Sequence, residues 1–255
     1  MNFKESLKKA KKRLLQMHFE SQVGHIGGNL SSLDVILLLH LKIMEDDDQF
    51  VLSKGHSAGA LYVTLWILGK ISDEQLKEFH KDNSKLTGHP VAGWMPEILF
   101  STGSLGHGLP LSCGLALGKK FKEENGMVFC LMSDGEWEEG SNWEALIFLS
   151  HHCLDNLVIL VDVNGLQGFG TTKEIASMDT LAEKLESFAI EVEEVNGHDQ
   201  DEIEKAILKP CSRPKAVILN TIKGHGISFM ENRMEWHYLS LSQEQYLRAL
   251  YELET

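Results

Sequence analysis

The chain has 255 residues, 43% apolar and 24% charged, which is enough to bury a sizeable core and predicts one domain over 1–255. A net charge of −13 disfavours free nucleic acid and anionic membranes as partners, and a phosphorylated ligand would need a local counter-charge such as a metal. The four cysteines, Cys113, Cys130, Cys153 and Cys211, are scattered without a CxxC pair and read as apolar fillers of a reduced, cytoplasmic protein.

A basic amphipathic helix is predicted over about 3–22, without the apolar region and cleavage site of a secretory signal. A Gly-rich turn, VGHIGGNLS, leads to an apolar helix from Leu33. The stretch LDVILLLHLKIM at 33–44 reads as too short to span a bilayer, and it carries His40 and Lys42. FVLS at 50–53 reads as a strand, followed by KGHSAGA and a helix through Leu68. Asp73 to Lys81 is expected to be helical, 84–104 a loop, and 106–122 a helix. Strands and helices then alternate: strands at 127–133, 156–163, 190–195 and 215–221, helices at 142–152, 181–188, 200–208 and 242–253. His151-His152-Cys153 reads as a helix end rather than a zinc site, because adjacent histidines on a helix point in different directions. Continuous apolar strands alternating with helices predict an α/β fold, a parallel sheet flanked by helices on both faces.

Ligands of such sheets bind beyond the carboxyl ends of the strands. Two polar turns fall there, SDGE after the 127–133 strand and NGLQ after the 156–163 strand. One rim can therefore bring Asp134 and Asn164 together. A carboxylate and an amide oxygen are hard ligands, suited to Mg²⁺ or Ca²⁺ rather than zinc. Gly135 permits close backbone approach, and N–H groups opening the next helix can take phosphate oxygens. The alternative is that DG and NG are simply turns.

Asp134-Gly135, Glu139-Gly140, Glu144-Ala145 and Asn164-Gly165 together resemble the signature of thiamine-diphosphate enzymes, with Ser133 where Gly is usual. The resemblance implies that the side chains of Asp134 and Asn164 and the main chain of Leu166 hold a metal. That metal is expected to be Mg²⁺, with Ca²⁺ or Mn²⁺ as alternatives, and it grips the diphosphate of thiamine diphosphate beside Gly135. Further segments are similar to the N-terminal, diphosphate-binding part of transketolases: VGHIGGNLS, FVLSKGHSAGALY, LTGHP, STGSLGHGL, VNGHD and KGHGISFMENRMEWH. This implies that His25, His56, His89 and His237 line a sugar channel, binding hydroxyls and assisting proton transfer, which imidazole suits. WHYL stands where WHG is usual, so His225 in KGHG is a rival for the place of His237. His198 reads as structural. The loop with Gly103, Ser104, Leu105, Gly106 and Gly108 is implied to run along the cofactor, with His107 where Gln is common. Glu139 is implied to meet a cofactor-activating glutamate of the opposite half, or it is a helix N-terminal charge. Lys223 is a channel lysine by analogy, or a solvated one.

The chain ends at Thr255, where the first region of a transketolase should finish. The expectation is one subunit of a split transketolase, holding half a cofactor site. A separate pyrimidine-binding and C-terminal subunit would complete it in a 2+2 assembly. The pair would move a two-carbon ketol (glycolaldehyde) unit from a ketose donor to an aldose acceptor, free or phosphorylated. The alternatives are another thiamine-diphosphate carboligase, a 2-oxoacid-decarboxylating component, a specialised sugar-biosynthetic ketol transferase, or a non-catalytic regulatory subunit. A nucleotide-binding protein is disfavoured, since GxGxxG and GxxxxGK[ST] are missing from the strand ends.

Overall fold

A computed structural model of the protein describes residues 2–254. Helix α1 (Phe3–Ser21) opens on a capping box in which Asn2 and Glu5 each accept the other's backbone N–H. It is followed by α2 (Ile26–Leu38), β1 (Gln49–Leu52), α3 (Ala58–Ile67), α4 (Asp73–Leu76), α5 (Gly108–Lys122), β2 (Val128–Ser133), α6 (Gly140–His151) and β3 (Leu157–Val163). A short hairpin, β4 (Leu166–Gln167) and β5 (Gly170–Thr171), precedes α7 (Thr172–Ala176), α8 (Leu181–Ser187), β6 (Glu191–Asn196), α9 (Gln200–Leu208), β7 (Lys215–Asn220) and α10 (Gln243–Glu254). The main sheet has the order β1-β2-β3-β7-β6, and every neighbouring pair is parallel.

The strands are apolar throughout because both faces are covered. Phe129, Leu131, Val158, Leu160, Val217 and Leu219 point into one core, shared with α1, α2, α3 and α9. Their alternates Val128, Cys130, Met132, Leu157, Ile159, Val161 and Ala216 point into the other, under α5, α6 and α8.

Three expectations change. The Gly-rich turn is already helix: α2 starts at Ile26, and all thirteen of its residues are buried. Gly27 serves packing, since a Cβ there would stand 3.0 Å from the Lys223 stem and 3.3 Å from Trp236. Counted from Ile26 to Ile43, this apolar stretch is 18 residues and long enough to cross a membrane, so length does not exclude a span. What distinguishes it is burial, 83% of the window lying inside the protein as a core helix. The third change is at α4, which stops at Leu76 instead of reaching Lys81, and left-handed residues follow at His80 and Asn83.

Because the sheet is parallel, all five strands end at one rim. Ser53 and Lys54 leave β1 there, Asp134 leaves β2, Asn164 leaves β3, Thr221 and Lys223 leave β7, and His198 follows β6.

Candidate active site

The two polar turns meet. Asp134 is buried, and its carboxylate accepts the N–H of Gly135 at 2.8 Å and that of Gly165 at 2.7 Å. The Asn164 side-chain oxygen accepts the Leu166 N–H at 3.1 Å, and its amide donates to Ser31 Oγ at 3.4 Å. Burial, reinforced by the nearby Asp162 carboxylate, pushes Asp134 up to about 6 despite its two N–H partners. A carboxylate so raised is an anion short of positive charge, and its neighbours are hard oxygens. The donor set of Asp134, Asn164 and the Leu166 carbonyl thus fits a divalent cation of the Mg²⁺ class.

Behind these turns lies a buried ion pair that sequence reasoning missed. Lys54 donates to Asp162, and both side chains are fully buried. Asp162 also accepts Ser31 Oγ at 2.6 Å and the Thr221 hydroxyl. Burial alone would raise Asp162, but Lys54 and the hydroxyls hold it below the ordinary carboxylate range. The readable signal was an Asp inside the otherwise apolar run NLVILVDV, since a buried carboxylate needs a partner. Glu136 was also missed. Fully buried, it accepts from Ser53 Oγ, from Gly106 N–H at 3.0 Å and from Ser133 N–H at 3.2 Å, tying the glycine loop to two strand ends.

The four histidines expected to line a channel come together. The His25 ring lies 5.6 Å from His56, 6.0 Å from His89 and 5.0 Å from His237, and His56 lies 5.8 Å from His237. His25 sits at a left-handed φ of 68°, an uncommon conformation outside glycine that costs on the order of 1 kcal/mol or more and points to function. It is held there by its N–H donating to the His237 carbonyl at 2.9 Å and by its carbonyl accepting the Asn29 amide at 2.8 Å. Gly103 makes room for His89, whose ring would stand 2.6 Å from a Cβ there. Burial pushes His25 down to about 4 and His237 to about 3, and lowers His56 and His89 as well. All four are therefore neutral at pH 7, each with one donor and one acceptor nitrogen.

Lys223 joins the two groups. Buried, it donates to the Leu166 carbonyl at 3.0 Å and pairs with His237 Nδ1 at 3.1 Å. Burial lowers it to about 8, which leaves it protonated at neutral pH. It is not a solvated lysine.

His225 does not join the cluster. It stacks on His198, with centroids 3.5 Å apart and planes 18° apart, and His198 Nδ1 lies 3.7 Å from the buried Asp34. Asp34, His198 and His225 carry metal-binding atoms within 4.8 Å of one another. Two nearly parallel rings cannot both hold one ion in their planes. In addition, His198 Nε2 accepts the Ile222 N–H at 2.9 Å, which puts the ring proton on Nδ1. The charge beside the Asp34 carboxylate comes from Lys11, whose ammonium lies 3.8 Å away.

Of the remaining expected residues, Ser104, His107 and Glu139 are exposed at the rim, Leu105 is half-buried, and Glu139 packs against Gly106. A cavity of about 640 Å³ lies at the opposite rim among Asp46, Asp47 and Asp48. The Asp48 carboxylate there accepts the Glu45 and Met127 N–H groups and serves the turn into β1.

A family model described as transketolase, thiamine diphosphate binding domain, matches residues 18–252. The chain is 37% identical over 269 residues to one subunit of an apulose-4-phosphate transketolase of Actinobacillus succinogenes, covering 100% of this chain and 98% of that one. It is 34% identical over 244 residues to a 6-deoxy-6-sulfo-D-fructose transketolase subunit of a Clostridium species, covering 91% of this chain and 89% of the relative. Among solved structures it resembles a transketolase from Leishmania mexicana with a TM-score of 0.92 at 23% identity, spanning all of this chain but only 41% of that one.

Proposed function

The chain belongs to the transketolase family, matching its thiamine-diphosphate-binding domain, and on that premise we propose that it is the diphosphate-binding subunit of a split transketolase. The observation that carries this reading is Lys223, which bridges the Leu166 carbonyl of a hard-oxygen cation site and His237 of a four-histidine cluster. Asp134, Asn164 and the Leu166 main chain would hold Mg²⁺, with Ca²⁺ or Mn²⁺ as alternatives, and through it the cofactor diphosphate. Bound thiamine diphosphate supplies a carbanion-stabilising centre for making and breaking a carbon–carbon bond beside a carbonyl.

The chain's own residues bind, orient and move protons. Gly103, Ser104, Leu105 and Gly135 line the cofactor side, held in place through Glu136. His25, His56, His89 and His237 bind the hydroxyls of a ketose donor and an aldose acceptor, and as neutral imidazoles they can give or take a proton at pH 7. The unit moved is a two-carbon ketol, and the substrates are sugars or sugar phosphates.

Relatives of matching length that are named as single subunits of transketolases support a partner chain. We assign to that partner the pyrimidine-binding and C-terminal regions, in a 2+2 assembly with this single diphosphate-binding domain. Exposed Glu139 and, on the neighbouring hairpin, Phe169 at 85% exposure are the residues we assign to that contact. The four free thiols fit a reducing compartment, and we place the enzyme in the cytoplasm.

The test is gentle purification of the tagged chain from its host, followed by the mass and thiamine diphosphate content of what accompanies it and assay of the complex on ketose donors. A stoichiometric second chain, bound cofactor and ketol transfer are expected. A monomer fully active alone would overturn the split. A complex that decarboxylates 2-oxoacids and leaves ketoses untouched would overturn ketol transfer.

A further inference from the structure

Lys223 reaches its two partners from a fixed place. Its stem packs against α2, where a Cβ on Gly27 would stand 3.0 Å from Lys223 Cγ, and the residue is 2% exposed. One partner is the Leu166 carbonyl at 3.0 Å, which can only accept. The other is His237 Nδ1 at 3.1 Å. An ammonium has three donors and no lone pair, so a nitrogen that bonds to it must accept. A neutral imidazole that accepts at Nδ1 carries its proton at Nε2.

The backbone that carries the His237 ring is tied on both sides. Its carbonyl takes the His25 N–H at 2.9 Å, and the preceding Trp236 is buried and donates through its indole to the Phe229 carbonyl at 3.1 Å. The ring edge away from Lys223 faces the β4–β5 hairpin, with Nε2 3.5 Å from where a Cβ on Gly168 would stand.

We propose that Lys223 is a positioning residue that fixes His237 as the Nε2–H tautomer, so that the ring edge facing the β4–β5 hairpin offers a donor, not an acceptor, to a bound ligand. The same ammonium also donates to the Leu166 carbonyl, a contact whose loss is read in cofactor affinity and kept out of kcat by saturating cofactor. The proposal rests on the transketolase reading only for what the His237 proton is used for. The tautomer itself is a property of the chain.

The test has two arms. Long-range ¹⁵N–¹H correlation spectra of the histidine-labelled full chain at neutral pH read the tautomer without turnover. The expected result is a pyridine-type Nδ1 and a pyrrole-type Nε2 for His237 in the wild type, with Lys223→Met, nearly isosteric, shifting His237 to a mixture or to Nδ1–H. A pyrrole-type Nδ1 in the wild type, or an unchanged single tautomer in Lys223→Met, would overturn the proposal. In the enzyme assembled with its partner and saturated with cofactor, Lys223→Met should lower kcat about tenfold to a hundredfold. A Lys223→Met/His237→Ala double variant should be no slower than His237→Ala alone, because Lys223 acts through His237. Additive losses would mean that Lys223 acts independently, and would also overturn it. If the complex transferred no ketol unit, the spectra would still decide the tautomer, so the two readings fail separately.

Discussion

His25 and His237 come from opposite ends of the chain, yet their rings meet edge to face at 5.0 Å and the His25 N–H donates to the His237 carbonyl at 2.9 Å. That backbone bond fixes the entry to α2 against the turn before α10. The left-handed φ of His25 then aims its ring at His56 and His89. The cluster is therefore preorganised, which is the condition for histidines to orient hydroxyls without a reorganisation cost at the moment of reaction.

His56 occupies the turn after Lys54, among the clustered histidines, and makes no bond to Asp134 or Asn164 of the proposed cation set. His56→Ala in the assembled enzyme should lower turnover by about two orders of magnitude, with cofactor affinity near the wild-type value. Steady-state kinetics together with calorimetric titration of thiamine diphosphate separate the two effects. A collapse of cofactor affinity would reassign His56 to the cofactor.

Asp134 is the only carboxylate in the proposed cation set, and burial has already raised it to about 6. Asp134→Ala should abolish metal-dependent cofactor binding, measured by calorimetry in the assembled enzyme with Mg²⁺ present. Because a bound cation keeps the carboxylate ionised, binding in the wild type should also weaken as pH falls below about 6. Cofactor binding by Asp134→Ala as tight as in the wild type would remove the metal assignment.

What could be read in advance was what is local. Asp134 and Asn164 each close an apolar strand with a Gly-containing turn, and parallel alternation alone brings such turns to one rim. The four histidines needed the resemblance, because no spacing rule joins His25 to His237 or separates His237 from His225. Lys54 sat unread within KGHS, since its burial depends on Asp162, which is distant in sequence. Gly27 and Gly28 suggested a turn because glycine weakens helices, yet both lie in α2, where packing against Lys223 favours the absence of a side chain at Gly27. The helix predicted to Lys81 ended early where His80 and Asn83 take left-handed conformations, and nothing in the local pattern announces that.

The Lys54–Asp162 pair lies wholly out of water, so removing one partner strands the other. Lys54→Met should destabilise the chain by about 3–5 kcal/mol in urea unfolding, because the Asp162 charge is then left to two hydroxyls. Lys54→Met/Asp162→Asn should recover most of that loss, since both charges leave together. A single variant within about 0.5 kcal/mol of wild type would mean that the pair is not buried as described.

Acid should unfold the chain through its histidines. Burial lowers His18 to about 4, and His25, His40 and His225 are also near 4. Below their unfolded value of 6.5 the unfolded chain binds more protons than the folded one, so stability falls as pH falls. The contribution is complete above 6.5 and is lost as pH drops through about 4, His18 alone accounting for about 3 kcal/mol by then. Asp134 works the other way between about 6 and 3.8, because its folded carboxyl takes up a proton more readily than the unfolded one. Buried Glu136, also raised, acts in the same sense, but these are two carboxyls against several histidines. Urea midpoints measured from pH 7 down to pH 4.5 should therefore fall steadily. His18→Gln should flatten the slope by up to one proton, about 1.4 kcal/mol per pH unit in the middle of the window. An unaltered slope in that variant would show that His18 is protonated equally in the folded and unfolded chain.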